Sequence, residues 1–280
     1  MERRKGLRRM MRILRLYAPS LIGDHTLCYV STNREGDVCI NDVKIPVLWA
    51  RAGEPLDGEE RAAAMTVVLP PDAKLNEGDF LSVGKYGATL LRWQDGHFRV
   101  CRAGFLGVSE PAEIWPAIRT AVLTVSDKGS RGEREDTAGP ELERLAFMRG
   151  CVTEDKKIVP DDPEEICAAV MAWAEAGINL VLTTGGTGLS QRDNTPEALL
   201  SIADKVVPGF GEMMRVETLK YTGRSFLTRS VAVITGRTLA VAFPGSRRGV
   251  EQCFEAIEGG LRHAVETLTG DATECGGHKH

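Results

Sequence analysis

The feature that most constrains this chain is an apolar run that leads through a glycine-rich loop into a capped helix. Residues 178–182 (INLVL) predict a buried strand of a parallel sheet. After the loop, Thr195 as N-cap and Pro196 at the first helical position predict the start of a helix. Glu197 is favourably placed near the N-terminus of that helix. A strand, a glycine loop and a helix N-terminus in this order form the layout of a phosphate-binding site.

The composition of the loop indicates what it binds. Gly185, Gly186 and Gly188 let the backbone approach an anion closely and point its N–H groups at it. Asp193 would repel a phosphate unless a cation lay between them, so the sequence predicts a divalent metal, with Mg²⁺ the usual choice. The loop has neither the lysine of a P-loop nor the spacing of the G-x-G-x-x-G dinucleotide motif.

Length and composition exclude several classes of protein. The chain has 280 residues, which favours two domains, and a net charge of −4, which argues against a general nucleic-acid-binding protein. Its 7 cysteines form no C-x-x-C pair, a pattern that suits the reducing cytoplasm and predicts no structural zinc. The basic N-terminus lacks the uninterrupted apolar run of a signal peptide or membrane span, so we expect no membrane association.

The chain divides into five predicted segments. Residues 1–19 are expected to be a flexible basic arm, with binding to an acidic partner as the alternative. Residues 20–110 carry short β-like runs between turn signals and predict a small, mostly antiparallel β domain of unknown role. Closely spaced prolines predict a linker at 111–117. An α/β domain is predicted at 118–270 and a flexible tail at 271–280.

The pattern of the α/β domain is a regular alternation of strands and helices. Strands are predicted at 119–126, just before Pro160, and at 178–182, 231–234 and 239–243. Helices are predicted at 140–148, 163–176, 209–221 and 246–268, and after Thr195. Such alternation predicts a doubly wound fold, with a mainly parallel sheet and helices on both faces.

Ligands of open α/β sheets bind beyond the carboxyl ends of the strands. Ser126 and Asp127 follow the first predicted strand, Asp161 follows the second, and the turn 244–246 follows the last. Asp162 is explained as the cap of the next helix, whereas Asp161 has no such role. We therefore expect one cleft that holds both a phosphate and the metal that neutralises it.

These motifs resemble those of the molybdopterin adenylyltransferase family, which includes the bacterial MogA-type proteins and the G domain of gephyrin. The resemblance covers roughly residues 119–268 and rests on segments in the same order and with similar spacing. They are LTVSD at 123–127, Asp161, TTGGTG at 183–188, RDNTPEA at 192–198, PGFGE at 208–212 and PGS at 244–246. It implies Mg²⁺-dependent transfer of AMP from ATP to the terminal phosphate of molybdopterin, with release of pyrophosphate, and a homotrimer.

The resemblance also assigns roles to residues. Asp161 and Asp193 fall on the two acids that the family requires for the reaction, and we expect them to hold Mg²⁺. The remaining matched positions are expected to line the substrate and nucleotide site: Ser126, Asp127, Thr184, Gly185, Gly186, Thr187, Gly188, Glu212, Pro244, Gly245 and Ser246. Arg247 and Arg248 stand where many relatives carry a proline or a lysine, so the loop conformation there does not follow from the resemblance.

Two other functions fit the same residues. The chain could bind molybdopterin and hand it to a partner enzyme without catalysis of its own, or it could insert molybdate, as a related domain does in a later step. The pair of acids, Asp161 and Asp193, favours transfer of AMP, because a simple pterin pocket has no evident use for two carboxylates beside phosphates.

Overall fold

The structure, a computed structural model, describes residues 11–12, 27–32, 38–40, 43–44, 47–51, 65–69, 74–84, 89–107 and 111–270. The chain separates into two compact units, Met1–Ala117 and Ile118–His280. The predicted tail at 271–280 lies outside the described residues. No helix in the described ranges is long and apolar enough to cross a membrane.

The described part of the N-terminal unit consists of β-strands. They are β1 (Met11–Arg12), β2 (Leu27–Thr32), β3 (Val38–Ile40), β4 (Val43–Lys44), β5 (Val47–Arg51), β6 (Met65–Leu69), β7 (Phe80–Val83), β8 (Thr89–Gln94), β9 (His97–Arg102), β10 (Gly104–Gly107) and β11 (Pro111–Trp115). Their sheets run in the orders β1-β11-β7-β8-β9, β10-β2-β3-β4 and β5-β6. All described pairs are antiparallel except β5 with β6.

Two predictions for this unit need correction. Pro111–Trp115 forms β11, which pairs with β7, so most of the expected linker at 111–117 is a strand. Proline is tolerated at the first residue of a strand, and Pro116 follows the last, so neither proline interrupts the ladder. Met11–Arg12 pairs with β11 and is therefore not part of a flexible arm.

The C-terminal unit alternates strands and helices, as its sequence predicts. Its strands are β12 (Ile118–Val125), β13 (Cys151–Val159), β14 (Leu180–Thr184), β15 (Lys205–Val206), β16 (Ala232–Thr235) and β17 (Thr238–Phe243). Its helices are α1 (Asp127–Ser130), α2 (Ala138–Phe147), α3 (Pro163–Glu175), α4 (Thr195–Ser201), α5 (Pro208–Glu217) and α6 (Arg247–Thr269). Short 3₁₀ turns follow α5 at Thr218–Lys220 and Ser225–Leu227.

The six strands of this unit form one sheet in the order β13-β12-β14-β17-β16-β15. Strands β13, β12, β14 and β17 are mutually parallel. Strands β16 and β15 add an antiparallel edge beside β17. The predicted doubly wound α/β fold is therefore confirmed. The carboxyl ends of β12, β14 and β17 lie side by side, because Thr124 aligns with Thr184 and Thr184 with Phe243.

Both faces of the sheet are buried by helices. Side chains alternate along each strand, so Val122 and Leu182 join one core with residues of α2, α5 and α6. Leu123 and Val181 point the other way and join a second core with residues of α3 and α4. The two cores hold the sheet on both faces, and they thereby fix the carboxyl ends of β12, β14 and β17, where the candidate site lies.

Candidate active site

A cleft of about 960 Å³ opens at the carboxyl ends of β12, β14 and β17. Most of the residues predicted for the site line it: Ser126, Asp161, Thr184, Gly185, Gly186, Thr187, Gly188, Asp193, Pro244, Gly245 and Ser246. Asp127 lies behind Asp161 and contacts it. Glu212, in contrast, is exposed on α5 and is not among the residues that line this cleft.

Asp161 and Asp127 each donate a backbone hydrogen bond to the carboxylate of the other. The N–H of Asp127 donates to Oδ2 of Asp161 at 2.8 Å, and the N–H of Asp161 donates to Oδ1 of Asp127 at 3.1 Å. Arg192 donates two further hydrogen bonds to the carboxylate of Asp127, from Nη2 at 2.7 Å and from Nε at 3.1 Å. These contacts fix Asp161 without using its Oδ1, which accepts no hydrogen bond from the residues that the structure describes.

The two carboxyl groups differ in their electrostatics. Hydrogen bonds from Arg192 hold the pKa of Asp127 below its ordinary value. The pKa of Asp161 is raised, chiefly because burial penalises its charged form and also because the charges of Asp127 and Asp193 repel it. The hydrogen bond from the Asp127 N–H and the charge of Arg192 oppose that rise. A cation beside Asp161 would stabilise the charged carboxylate, and would thus offset both the cost of burial and the repulsion from the other two acids.

Asp193 closes the glycine loop on itself. Its Oδ2 accepts a hydrogen bond from the N–H of Ser190 at 2.8 Å, and its own N–H donates to the carbonyl of Ser190 at 3.0 Å. Oδ1 of Asp193 has no hydrogen-bond partner within the described part of the chain. One oxygen of this carboxylate thus orders the loop, and the other is left for a ligand.

The floor of the cleft has no room for side chains. Gly185 and Gly186 adopt φ angles of 99° and 62°, in the left-handed region that favours glycine. A Cβ on Gly185 would collide with the carbonyl oxygen of Val125, and one on Gly245 would lie 3.1 Å from the Cα of Gly185. The loops after β14 and β17 therefore touch through their glycines.

The glycine loop leaves its amides open. The N–H groups of residues 186–189 donate to no group among the described residues, whereas the N–H of Gly185 is bonded to Phe243 at 3.2 Å. Four successive amides at a cleft are suited to bind the oxygens of a phosphate. The predicted role of this loop as an anion cradle is therefore compatible with its geometry.

The predicted hydroxyl groups have partners within the protein. Oγ of Ser126 accepts from the N–H of Gly129 at 3.0 Å and caps α1, and Oγ of Ser246 accepts from the N–H of Gly249 at 3.1 Å and caps α6. Oγ1 of Thr184 donates to the carbonyl of Pro244 at 2.8 Å. These residues shape the loops around the cleft. Thr184 donates its hydroxyl proton within the protein, whereas Ser126 and Ser246 act as acceptors in these bonds.

The predicted cap of α4 is wrong. Thr195 lies within the helix, which begins at that residue after Asn194, and its hydroxyl donates to the carbonyl of Gly185 at 2.8 Å. The N–H of Thr195 also donates to the carbonyl of Gly186 at 3.1 Å. Thr195 thus ties the helix to the glycine loop. The predicted cap of α3 is correct, since Oδ1 of Asp162 accepts from the N–H groups of Glu164 at 2.8 Å and Glu165 at 3.4 Å.

Two carboxylates are too few for a metal cage made only of protein groups, and no group of three or more candidate metal ligands is found within the described ranges. Mg²⁺ is usually bound by one or two carboxylates together with substrate phosphates and water. Asp161 and Asp193, with one free oxygen each beside the open amides, have the chemistry of such a set.

Arginines surround the cleft, and two of them already have partners. Arg192 is bonded to Asp127, and Arg247 lies 3.3 Å from Glu141 and 3.1 Å from Glu251. Arg134 is an exposed cation that lines the rim. The cationic side chains therefore lie at the mouth of the cleft, above the floor formed by the amides.

Comparison with known proteins identifies the family. The sequence model of the family described as "probable molybdopterin binding domain" matches residues 121–263, slightly more than half of the chain. The chain belongs to this family. The resemblance inferred from the motifs is confirmed, and the matched region lies within the unit Ile118–His280 that carries the cleft.

Individual relatives agree with this assignment. The chain is 43% identical to molybdenum cofactor biosynthesis protein B of Escherichia coli strain K12, over 58% of this chain and 92% of that protein. It is 33% identical to the molybdopterin adenylyltransferase of Helicobacter pylori strain J99, over 55% of this chain and 89% of the relative. Among solved structures, the molybdopterin biosynthesis enzyme MoaB from Thermus thermophilus matches with a TM-score of 0.53 at 40% identity, over 56% of this chain and 99% of that one.

Sequence reasoning missed two groups at or beside this cleft. Oδ2 of Asp136 accepts from the hydroxyl of Thr124 at 2.6 Å, and both residues line the cleft. Oδ1 of Asp136 caps α2, a signal that the sequence does contain, since an aspartate shortly precedes the helix. Arg229 contacts the glycine loop from a segment 41 positions away from Gly188, and no local pattern marks it.

Proposed function

We propose that this chain acts in molybdenum cofactor biosynthesis as a molybdopterin adenylyltransferase. The observation that carries the proposal is one cleft that combines four open amides with the carboxylates of Asp161 and Asp193. Transfer of AMP brings the phosphate of molybdopterin against those of ATP, so the site must bind anions and screen their repulsion. Relatives that are named molybdopterin adenylyltransferases support the same reaction.

In this reaction an oxygen of the terminal phosphate of molybdopterin attacks the α-phosphorus of ATP. A new P–O–P bond forms, and the bond from the α-phosphorus to the α,β-bridging oxygen breaks, so that pyrophosphate leaves with the electron pair. The amides of residues 186–189 would hold phosphate oxygens, and the exposed Arg134 stands at the rim. No protein nucleophile is required.

Asp161 and Asp193 are the residues that would hold Mg²⁺, each through its free Oδ1. When bound, the ion neutralises phosphate charge and aligns the attacking and leaving oxygens. Asp127 acts through Asp161, since it fixes the position of that carboxylate and is itself held by Arg192. Ser126, Thr184 and Ser246 shape the loops.

A second function is supported by one comparison. The Escherichia coli relative is named as a molybdenum cofactor biosynthesis protein without a stated reaction. A protein that binds molybdopterin and hands it to an enzyme for molybdate insertion would fit that name. The paired carboxylates favour adenylyl transfer, because a site that only binds a pterin phosphate has no evident use for two acids beside it.

We also propose that the chain forms a homotrimer in the cytoplasm. Met213, Val216 and Leu219 are exposed at three-residue spacing along α5 and the turn that follows it, so they share one face. Such an exposed apolar face is typical of a subunit interface.

Cys101, Cys151, Cys167 and Cys253 are free thiols, as expected in a reducing compartment.

The test is pyrophosphate release from molybdopterin, ATP and Mg²⁺. We expect release in the presence of all three components and loss of release with EDTA. Asp193→Asn should abolish turnover while binding of molybdopterin, measured by fluorescence, changes little. Tight pterin binding without pyrophosphate release by the wild-type chain would reject the enzymatic function and leave the handover function.

A further inference from the structure

Arg229 joins three parts of the glycine loop and its helix. Its Nε donates to the carbonyl of Gly188 at 2.8 Å, and its Nη2 donates to the carbonyl of Asp193. Its Nη1 pairs with Glu197 in the first turn of α4. Its own N–H donates to the carbonyl of Thr187 at 2.9 Å. One side chain thus spans the loop from the open amides to the second carboxylate.

These bonds hold a part of the loop that its other anchors leave out. Those anchors are the bonds between Asp193 and Ser190, from Arg192 to Asp127 and Ser190, from the Asn194 amide to the carbonyls of Gln191 and Arg192, between the hydroxyls of Thr187 and Thr228, and from Thr195 to Gly185 and Gly186. None of them fixes the carbonyl of Asp193, and this carbonyl belongs to the residue that carries the carboxylate. The position of the carboxylate relative to the amides therefore depends in part on the guanidinium.

The geometry of these bonds requires an arginine. A guanidinium presents donors in a rigid planar fork, so it can bridge two carbonyls and a carboxylate at once. A lysine keeps the charge but offers a single flexible ammonium and cannot hold all three acceptors in one plane. The Arg229 side chain is 32% exposed, so its bonds are partly shielded from water.

We propose that Arg229 is a positioning residue that places Asp193 for the divalent cation, and that its loss weakens binding of that cation. The inference about the cation rests on the proposed function, whereas the ordering of the loop does not. Partners that hold a metal ligand in place typically change metal affinity or activity by about 10- to 100-fold when they are lost. We expect an effect of that size.

The chain contains a matched control for this test. Arg119 also bridges two carbonyls, those of Ala176 at 3.2 Å and Gly177 at 3.1 Å, and pairs with Glu154 at 2.7 Å. It lies near the start of β12, at the opposite end of the strand from the cleft. Arg119→Lys therefore removes the same kind of fork without touching the site.

The experiment compares the full-length chain with its Arg229→Lys and Arg119→Lys variants. Hydrogen–deuterium exchange of the hydrogen-bonded amides of Ser190, Asp193 and Thr195 should be faster by about 10-fold or more in Arg229→Lys and unchanged in Arg119→Lys. The Mg²⁺ concentration that half-saturates pyrophosphate release should rise by about 10-fold or more only in Arg229→Lys, and excess Mg²⁺ should restore turnover.

Each outcome has one meaning. Unchanged exchange and unchanged Mg²⁺ dependence in a folded Arg229→Lys would overturn the inference, and so would equal effects in both variants. If the wild-type chain released no pyrophosphate while Arg229→Lys still accelerated exchange, the proposed function would fail and the ordering role would stand. If Arg229→Lys did not fold, Arg229→Gln, which keeps an N–H₂ donor but not the fork, would be judged by the same two measurements.

Discussion

The loops that carry the two acids of the cleft are built in different ways. The loop after β13 is short: Asp161 follows the strand by two residues, and Asp162 caps α3 immediately afterwards. The loop after β14 runs from residue 185 to 194 before α4 begins. Local secondary structure places the backbone of the first acid, and the N–H of Asp127 then fixes its carboxylate. A distant arginine holds the longer loop that places the second acid. A site can thus combine an acid on a short, capped loop with one on a long loop that side-chain contacts order.

Among the tests of this comparison, the largest effect on activity is expected from Asp161, the acid in the short loop. Asp161→Asn should lower kcat/KM for AMP transfer by at least about 100-fold, because a neutral amide is a poor ligand for Mg²⁺. The backbone bond from Asp127 can still be accepted by the amide oxygen, so the loop should keep its shape. Pyrophosphate release measures the loss.

Without metal, Asp161→Asn should also stabilise the fold slightly, by less than about 1 kcal/mol because solvent screens the charge. The pKa of Asp161 is raised in the folded state, so its charged form opposes folding at pH 7. The gain should be fully present above the raised pKa and vanish as the pH falls below the ordinary value of 3.8. Urea unfolding in EDTA checks this, and a destabilised variant at pH 7 would contradict it.

A smaller effect is expected from the floor of the long loop. Gly186→Ala should cost about 2–4 kcal/mol of unfolding free energy and at least about 10-fold in activity, because the methyl group meets the hydroxyl of Thr195 and lies near Asp161. Gly132→Ala is the control, since Gly132 also has a positive φ, of 70°, but faces open space. We expect the control to cost about 1 kcal/mol. Equal costs would show that crowding plays no part.

The smallest effect on activity is expected from the cap of the short loop. Asp162→Ala removes the acceptor for Glu164 and Glu165 and should lower the unfolding free energy by about 1 kcal/mol. Turnover should stay within about 2-fold of wild type, because Asp162 does not line the cleft. A melting curve measures the first quantity. If turnover fell as far as in Asp161→Asn, the separate roles of these neighbouring aspartates would be wrong.

The same contrast explains what the sequence could predict. The alternation of strands and helices, the cap at Asp162 and the role of Ser246 at the start of α6 depend on residues within a few positions of one another. The rule that ligands lie beyond strand ends then brought Asp161 and the glycine loop together correctly. These features are local or topological, so a single sequence carries them.

Contacts between distant segments escaped prediction. Thr195 has the side chain of a cap, but it lies within the helix and its hydroxyl donates to the carbonyl of Gly185. Arg192 belongs to one of the matched motifs, yet its pairing with Asp127 joins positions 65 apart. Arg229 stands outside any helix or strand and outside the matched motifs. The partner of a polar side chain depends on the assembled fold, which periodicity does not reveal.

Gly185 and Gly245 meet at the floor of the cleft, where a side chain on either has little room. A redesign of this cleft for another phosphate-bearing substrate therefore has almost no freedom at the floor. The freedom lies at the rim, where Arg134, Leu189 and Arg247 are exposed and line the opening. A library restricted to these three positions would vary the opening while leaving intact the proposed phosphate-binding surface.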